Sequence, residues 1–591
     1  MAEPSSSRFS ADLLLRVACT IGAASLLSIL AAPLDLYWLH WVAYVPFFWV
    51  LREETPRANR WLAYVYGVVS VGLIFRWIVA TIVLFSNIPT ILAWGILLLF
   101  SAAFGLPYLL VWMAVHPLRK RLGDGWILAL PAWLVVVEWL SMHIILFPYN
   151  QGITMYRFPP VWQLVSVTGV WGVSFLVMFF NCTLGEAIYR RREGRPFPVR
   201  WVALAVATLS TVIIWGQYRY DRVEQTLEKA PEITVGMIQT AESMTHRFSE
   251  SRKKALFDWV RETESIIAHT HPGQIDLVVW SEGASPYNVH TGPVYQLIST
   301  LARKGDFEML VGGGTVEGTH ENGKRKVVAY NSVYLFGRDG SIEGRYDKVV
   351  PLPFGEYLPL AHVFPWLAEL IRGPGDFRAG STTNVLQGDT WRIASPICYE
   401  AVLPYLCRRF PKPDLLVNPT NDAWFGDTAA PHQHAMLATA RAVELGIPLV
   451  RSGYTGVSMV VEPDGRIYAE TKPFEAVDQL VKVRMGNIPT LYRRFGDWFV
   501  WLCALGLAAA WLIAPWRRGT PTALPVPGPR QNDLSRGGEE TFVPASMLPP
   551  AVLLMCLPKE HASGKHTRGR EWRPDGEEDP PADSVPARTG P

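Results

Sequence analysis

The sequence predicts a bundle of about eight membrane-spanning helices that carries a soluble, layered α/β domain. Three observations predict it. Long apolar runs follow one another through residues 1–216 and return once near 498–515. The Lys and Arg residues of the connecting loops concentrate on alternate loops. Residues 217–497 then change character, to short β-rich runs alternating with amphipathic stretches. The totals agree: 49% of the 591 residues are hydrophobic, 18% are charged, and a net charge of +3 leaves no basic face for nucleic acid.

The spans fall near 11–32, 36–51, 61–84, 88–115, 126–146, 160–186 and 200–216, with the eighth near 498–515. About 20 residues cross a bilayer core as a helix, so the second and seventh runs are short. A large soluble helical core is the alternative, but so many uncharged runs in series are hard to bury in water. The first run is too long for a cleavable signal. Loops 52–60, 116–125, 189–200 and 516–519 are rich in Arg and Lys, whereas 32–35, 86–90 and 147–160 carry only Arg157. Basic loops stay in the cytoplasm. Both ends of the chain are then cytoplasmic, and residues 217–497 face outward. The tail, 517–591, is rich in Pro, Gly, Ser and charge, and is expected to be disordered.

In the outer domain, 275–280, 308–314, 328–337, 414–420 and 456–470 read as strands, the last with a turn at "EPDGR". Residues 250–269 read as an amphipathic helix, and 432–446 as another, stopped by Gly446 and Pro448. Of six scattered cysteines, Cys19, Cys182 and Cys503 lie in apolar runs and read as packing.

Three strand-end positions carry chemistry. "VVWSEGASPY" sets Glu282 just past a strand, and "RYDKVVPLPFGEYLP" sets Lys348 in a loop with Glu356 eight residues on. "WRIASPICYEAVLP" sets Cys398 after a β-rich run, followed by Tyr399 and Glu400. A carboxylate base, an ammonium and a thiol form an acyl-transfer set: the base takes the thiol proton, the thiolate attacks a carbonyl, and the ammonium stabilises the oxyanion. Singly, each has a plainer reading, as a solvated edge residue, a surface lysine and a packed thiol.

"WSE", "YDKVVPLPFGEYLP", "ICYE" and "NPTNDAWFGDTAAPHQHAMLATARAVELG" resemble the carbon-nitrogen hydrolase (nitrilase) superfamily. With the flanking spans, residues 1–516 resemble the apolipoprotein N-acyltransferase family. The resemblance implies a four-layer α-β-β-α sandwich on an eight-helix base, with a Glu282, Lys348 and Cys398 triad. Glu356 falls on the family's second glutamate, Tyr399 and Glu400 on the pair after its cysteine, and Asn331 in "YNS" on a site-supporting asparagine. It implies a ping-pong reaction without a cofactor. Cys398 takes an acyl chain from the sn-1 position of a phospholipid, and the α-amine of a diacylglyceryl-cysteine lipoprotein then removes it. Those partners place the chain in a bacterial inner membrane, with the catalytic domain periplasmic. No coiled-coil heptads argue for a dimer, and a monomer is expected.

The apolar loop residues Leu352, Phe354, Leu358, Leu360, Trp424 and Phe425 read either as a lid or acyl groove, or as ordinary core. Two positions depart from the family pattern. Phe248 stands where a tryptophan near a substrate-contact loop is common, and Tyr454 where an asparagine is frequent. Four further readings compete. His432 and His434 form an H-x-H pair, but no third metal ligand has helpful spacing. Cys398 and Cys407, the two outer-domain thiols, could pair, which would destroy the nucleophile. The chain could also be a membrane-anchored amidase, or a transporter or scaffold with a degenerate catalytic domain. Eight spans argue against a simple anchor. Few ionisable groups in the spans argue against a transport path, Glu138 and Arg76 being two that could instead brace helices or meet headgroups.

Overall fold

The computed structural model describes residues 6–51, 55–86, 88–144, 149–241, 249–321, 324–358, 363 and 377–514. The expectations for Phe248, Leu360 and the 517–591 tail lie outside them.

By length and composition, four stretches suffice to cross a membrane: Ala11–Leu30, Thr90–Ile144, Val170–Arg192 and Val199–Leu227. The pair Pro56–Ile74 and Trp77–Phe85, bent by 54°, adds a fifth, and Trp498–Ile513 is a shorter apolar helix. The expected eight spans are therefore not all single long helices, for two physical reasons. The second, 36–51, is a 3₁₀ turn (Tyr37–Trp41) and a six-residue helix (Val45–Val50). It still runs back along the first helix. Leu36 N–H donates to Ile29 O at 3.3 Å, and at the other end Arg16 Nε donates to Val50 O at 3.1 Å. The stretch Thr90–Ile144 errs the other way. As one straight helix its 55 residues would extend about 80 Å. It breaks instead at Gly105, at Ala114 and at the 3₁₀ turn Gly123–Gly125, and Leu106–Leu122 packs back on Trp126–Ile144.

The loops gather at two ends. Arg157 pairs with Asp35 and with Glu470 of the α/β domain, both at 2.8 Å, and the Phe85 ring meets Trp424 at 4.7 Å. At the far end Arg119 pairs with Glu186 at 3.0 Å, Arg190 pairs with Glu186 and Asp124, and Arg121 Nε donates to Trp511 O at 2.8 Å. Buried Arg16 donates there to Thr55 and Asn59.

The α/β domain holds strands β1 (Glu232–Gln239), β2 (Leu277–Val279), β3 (Glu308–Glu321), β4 (Lys324–Phe336), β5 (Ile342–Asp347), β6 (Leu386–Gln387), β7 (Arg392–Ala394), β8 (Leu415–Thr420), β9 (Leu449–Gly453), β10 (Met459–Val461), β11 (Ile467–Tyr468) and β12 (Val477–Arg484). They form two six-stranded sheets, ordered β12-β1-β2-β3-β4-β5 and β6-β7-β8-β9-β10-β11. Each has three parallel strands in its interior, β1-β2-β3 or β7-β8-β9, flanked by antiparallel ones. The alternation of strand side chains explains the layers. Val235, Met237, Leu277 and Val279 join Leu415, Val417 and Leu449 in a core between the sheets. Val278, Met309, Val311 and Phe336 face the other way, onto Leu256 and Trp259 of helix Ser249–His269 and Ile298 and Leu301 of helix Gly292–Gly305. Helix Ala430–Leu445 packs on the second sheet. The sandwich is thus α-β-β-α. Strands β1, β5, β6, β9 and β12 and the helix Gly292–Gly305 went unread in the sequence.

Candidate active site

Three strand ends converge. β2 ends at Val279, and the chain passes Trp280 and Ser281 to Glu282. Gly312 permits this approach: a Cβ there would lie 2.3 Å from Ser281 O and 2.8 Å from Glu282 Cα. β5 ends at Asp347, so Lys348 follows at once. β7 ends at Ala394, four residues before Cys398. Cys398 has φ +53°. That left-handed conformation costs a residue with a Cβ about 1–2 kcal/mol and needs support from its surroundings. The support is local. Asn418 Nδ2 donates to Pro396 O at 2.7 Å and to Cys398 O at 3.2 Å.

Around the thiol lies a tight ionic cluster. Lys348 Nζ is 3.1 Å from Glu282 Oε1 and 2.7 Å from Glu356 Oε2. Asn331 Nδ2 spends one hydrogen on Glu282 Oε1 (2.7 Å) and the other on Glu356 Oε1 (2.5 Å). Asn421 N–H donates to Glu282 Oε2 at 2.9 Å, and Leu352 N–H to Glu356 Oε2 at 2.7 Å. Lys348, Glu282, Glu356 and Cys398 are all buried. Burial opposes the charge on Lys348, but Glu282 and Glu356 prevail and hold its ammonium above the ordinary lysine range. Burial, then the charge of Glu282, push the Cys398 thiol well up, with Lys348 pulling against them. These effects together favour the neutral thiol over the thiolate.

Glu400 plays a different part. Its Oε1 accepts from Val349 N–H (2.7 Å) and Val350 N–H (2.9 Å), and its Oε2 from Ile397 N–H (2.8 Å) and Tyr346 Oη–H (2.9 Å). These bonds tie the Lys348 loop to the Cys398 turn. Burial pushes Glu400 up to about 7, against Lys348 and its hydrogen-bond donors.

An apolar cleft opens on the thiol. Cys398, Tyr399 and Leu352 line it with Phe425 of the α/β domain and with Phe75, Trp77 and Tyr149 of the helical base. A second cleft runs among the base helices past Tyr108 and Glu138, and shares Phe75 and Tyr149 with the first. Phe425 packs edge-on to Trp77 at 5.0 Å. Phe354 is 52% exposed and lies outside the cleft lining, as does Trp424. Tyr454 is buried against Trp259 at 5.7 Å, behind the first sheet, so it is core rather than a substrate contact. Cys398 and Cys407 are free thiols, and Cys407 Sγ donates to Glu400 O at 3.5 Å. Glu138 braces the base, accepting from Gln151 N–H at 2.8 Å, whereas Arg76 is exposed at the bend between Ile74 and Trp77.

The sequence reading missed a second buried network beside the first. Fully buried Arg451 donates from Nη2 to Asp422 Oδ2 (2.7 Å), from Nη1 to Asn418 Oδ1 (2.6 Å) and Thr420 Oγ1 (3.1 Å), and from Nε to Val457 O (3.1 Å). Asp422 Oδ1 lies 2.7 Å from His434 Nδ1. Gln433, the next residue back, spans to the helical base: it accepts from Trp77 Nε1 at 3.1 Å and donates to Ile74 O at 3.2 Å. The signal available was the density of polar residues in "NDAWFGDTAAPHQH", within a segment otherwise patterned for burial.

Comparison with known proteins places the α/β domain first by class. Residues 230–485 match the Carbon-nitrogen hydrolase family. A solved carbon-nitrogen hydrolase from Helicobacter pylori G27 aligns weakly, at 18% identity and TM-score 0.33, over 46% of this chain and 95% of that one. Residues 23–183 match the Apolipoprotein N-acyltransferase N-terminal domain. An apolipoprotein N-acyltransferase of Geobacter metallireducens is 31% identical over 488 residues, 80% of this chain and 91% of that protein. One of Bradyrhizobium diazoefficiens is 33% identical over 417 residues, 67% and 76% of the two chains. The chain belongs to the apolipoprotein N-acyltransferase family.

Proposed function

We propose that the chain moves an acyl chain from the sn-1 position of a phospholipid to the α-amino group of a lipoprotein's N-terminal diacylglyceryl-cysteine, through a thioester on Cys398. The observation that carries this reading is a buried thiol beside a Glu–Lys–Glu cluster, in a cleft whose wall includes membrane-helix side chains. Glu282 takes the Cys398 proton, and the thiolate attacks the ester carbonyl. Lys348 stabilises the oxyanion. The C–O bond breaks, the departing alkoxide recovers the proton from Glu282, and lysophospholipid leaves. In the second half the acceptor's neutral amine attacks. The C–N bond forms, the C–S bond breaks, and the amine proton returns through Glu282 to the Cys398 sulfur. Asn331 and Glu356 hold Glu282 and Lys348 in register throughout. The apolar wall of Phe75, Trp77, Tyr399 and Phe425 keeps water from the waiting thioester, which separates a transferase from a lipase.

The alternation of the loops supports eight passages of the chain, with the broken segments 37–50 and 56–85 each making one. The end carrying Arg119, Arg121 and Arg190 is then cytoplasmic, and the α/β domain periplasmic at the inner membrane. A membrane-bound amidase would need neither the lipid-facing wall nor the cleft among the base helices.

Intact mass measurement after incubation with phospholipid tests the reading. One acyl mass, labile to hydroxylamine, is expected on the wild type and absent from Cys398→Ala. Its transfer to a diacylglyceryl lipopeptide is expected to outpace hydrolysis. No adduct with any phospholipid overturns the proposal.

A further inference from the structure

His434 sits in the cleft wall with Cys398, on the helix Ala430–Leu445. Its side chain is nine-tenths buried. Asp422 is fully buried and paired with Arg451 Nη2 at 2.7 Å, which keeps it a carboxylate and therefore an acceptor. Two groups meet His434 Nδ1: Asp422 Oδ1 at 2.7 Å and Arg451 Nη2 at 3.2 Å. The nearer is an acceptor only, and an unprotonated Nδ1 would set a lone pair against a carboxylate, so the proton belongs on Nδ1. That leaves a lone pair on Nε2. Nε2 is buried and has no hydrogen-bond partner among the described residues, Cys398 Sγ included. A buried acceptor left empty costs free energy, on the order of 1–3 kcal/mol, so a partner that fills it binds with that much in its favour.

The chemistry of the two half-reactions selects that partner. The acyl donor brings an ester, which has no N–H or O–H at the reacting carbon. The departing alkoxide needs a proton, which an unprotonated Nε2 cannot give. The acceptor's α-amine alone presents N–H to the cleft, and it arrives at the carbonyl carbon attached to Cys398. On this ground, and resting on the acyltransfer reading above, we propose that His434 is a positioning residue for the second half-reaction: its Nε2 accepts a hydrogen bond from the attacking α-amine and points the nitrogen lone pair at the thioester. The imidazole does not take the proton. An α-ammonium ordinarily titrates near 7.7–8.0, while burial, followed by the charge of Arg451, holds His434 below the ordinary histidine value. Glu282 keeps the proton work, and His434 fixes the angle of approach.

Two substitutions in the full chain divide this role from a merely structural one. His434→Asn retains a donor toward Asp422 but places nothing where Nε2 stood. His434→Gln retains an acceptor near Nε2 and loosens the bond to Asp422. Each half is read separately: thioester formation by hydroxylamine-labile mass, then single-turnover transfer to a synthetic diacylglyceryl lipopeptide. Thioester formation is expected within about twofold of wild type in both. Transfer is expected to fall about tenfold in His434→Asn, equivalent to one lost hydrogen bond, with KM for the lipopeptide raised. His434→Gln should recover most of it. Equal slowing of both halves in His434→Asn, or a larger transfer loss in His434→Gln than in His434→Asn, overturns the proposal. So does unchanged transfer in both. A wild type that forms no thioester instead overturns the acyltransfer reading, and the first measurement reads that alone.

Discussion

In the first sheet the middle parallel strand, β2, leads to Glu282; in the second its counterpart, β8, leads to Asn421 and Asp422. Both carboxylates are buried, and each faces a buried cation. The cations differ. Lys348 is a compact ammonium held between two carboxylates that share one asparagine. Arg451 is a planar guanidinium with donors spent on Asp422, Asn418, Thr420 and Val457 O. An ammonium among shared carboxylates can meet charge that appears during a reaction, whereas a saturated guanidinium is a fixture. The same backbone pattern, used twice, thus supplies one responsive charge cluster and one rigid one, and the Cys398 thiol lies where the two meet.

The largest expected effect comes from the responsive side. Lys348→Met leaves Glu282 and Glu356 facing each other without a cation and removes the oxyanion's partner. Single-turnover thioester formation should fall about 10³-fold, the scale of losing one oxyanion donor. Retention within tenfold would dissolve the contrast. The rigid side should show the opposite balance. Arg451→Met strands a buried carboxylate, and thermal unfolding in detergent should report a loss of about 3–5 kcal/mol. The fraction that remains folded should form thioester within about tenfold of wild type. A folded but inert Arg451→Met would make both clusters catalytic.

The smallest effect concerns Glu400, which ties the Lys348 loop to the Cys398 turn. Its folded value lies near 7, against an ordinary value of about 4.3. Between these the folded chain keeps a proton that the unfolded chain has released. This contribution to stability is therefore full below about pH 4 and declines as pH rises through 4.3 to 7, by at most about 1.4 kcal/mol per pH unit. Glu400→Gln should flatten that part of the pH profile of thermal stability relative to wild type. Parallel profiles would show that Glu400 stays ionised across the window.

That Glu282, Lys348 and Cys398 come together was legible in the sequence because each stands at a strand end among characteristic neighbours, and strand ends are where a sheet presents side chains. The brace was not. Arg451 sits in "PLVRSGYTG", where a charged residue reads as an exposed loop, and its partner Asp422 is 29 residues away. Nothing local to an arginine announces that Asp422, Asn418, Thr420 and Val457 O will satisfy it in the core. Tyr454 misled for the converse reason: a polar tip in a turn reads as surface, yet its ring packs on Trp259. The helical base was legible in hydropathy but not in its interruptions. The bend at Phe75 and Arg76 carries no Pro or Gly, so only packing specifies it.

That bend has a mechanical consequence. Gln433 bonds both of its sides, Ile74 O and Trp77 Nε1, from the helix that also carries His434. A span bent by 54° is shorter than a straight one, and its angle is the coordinate through which a bilayer of different thickness does work on it. Straightening or deepening the bend pulls on Gln433, and so on the wall of the cleft beside Cys398. On the acyl-transfer reading proposed above, lipid is then load as well as substrate, and hydrocarbon thickness becomes a setting of the transfer geometry, independent of which headgroup or chain is bound.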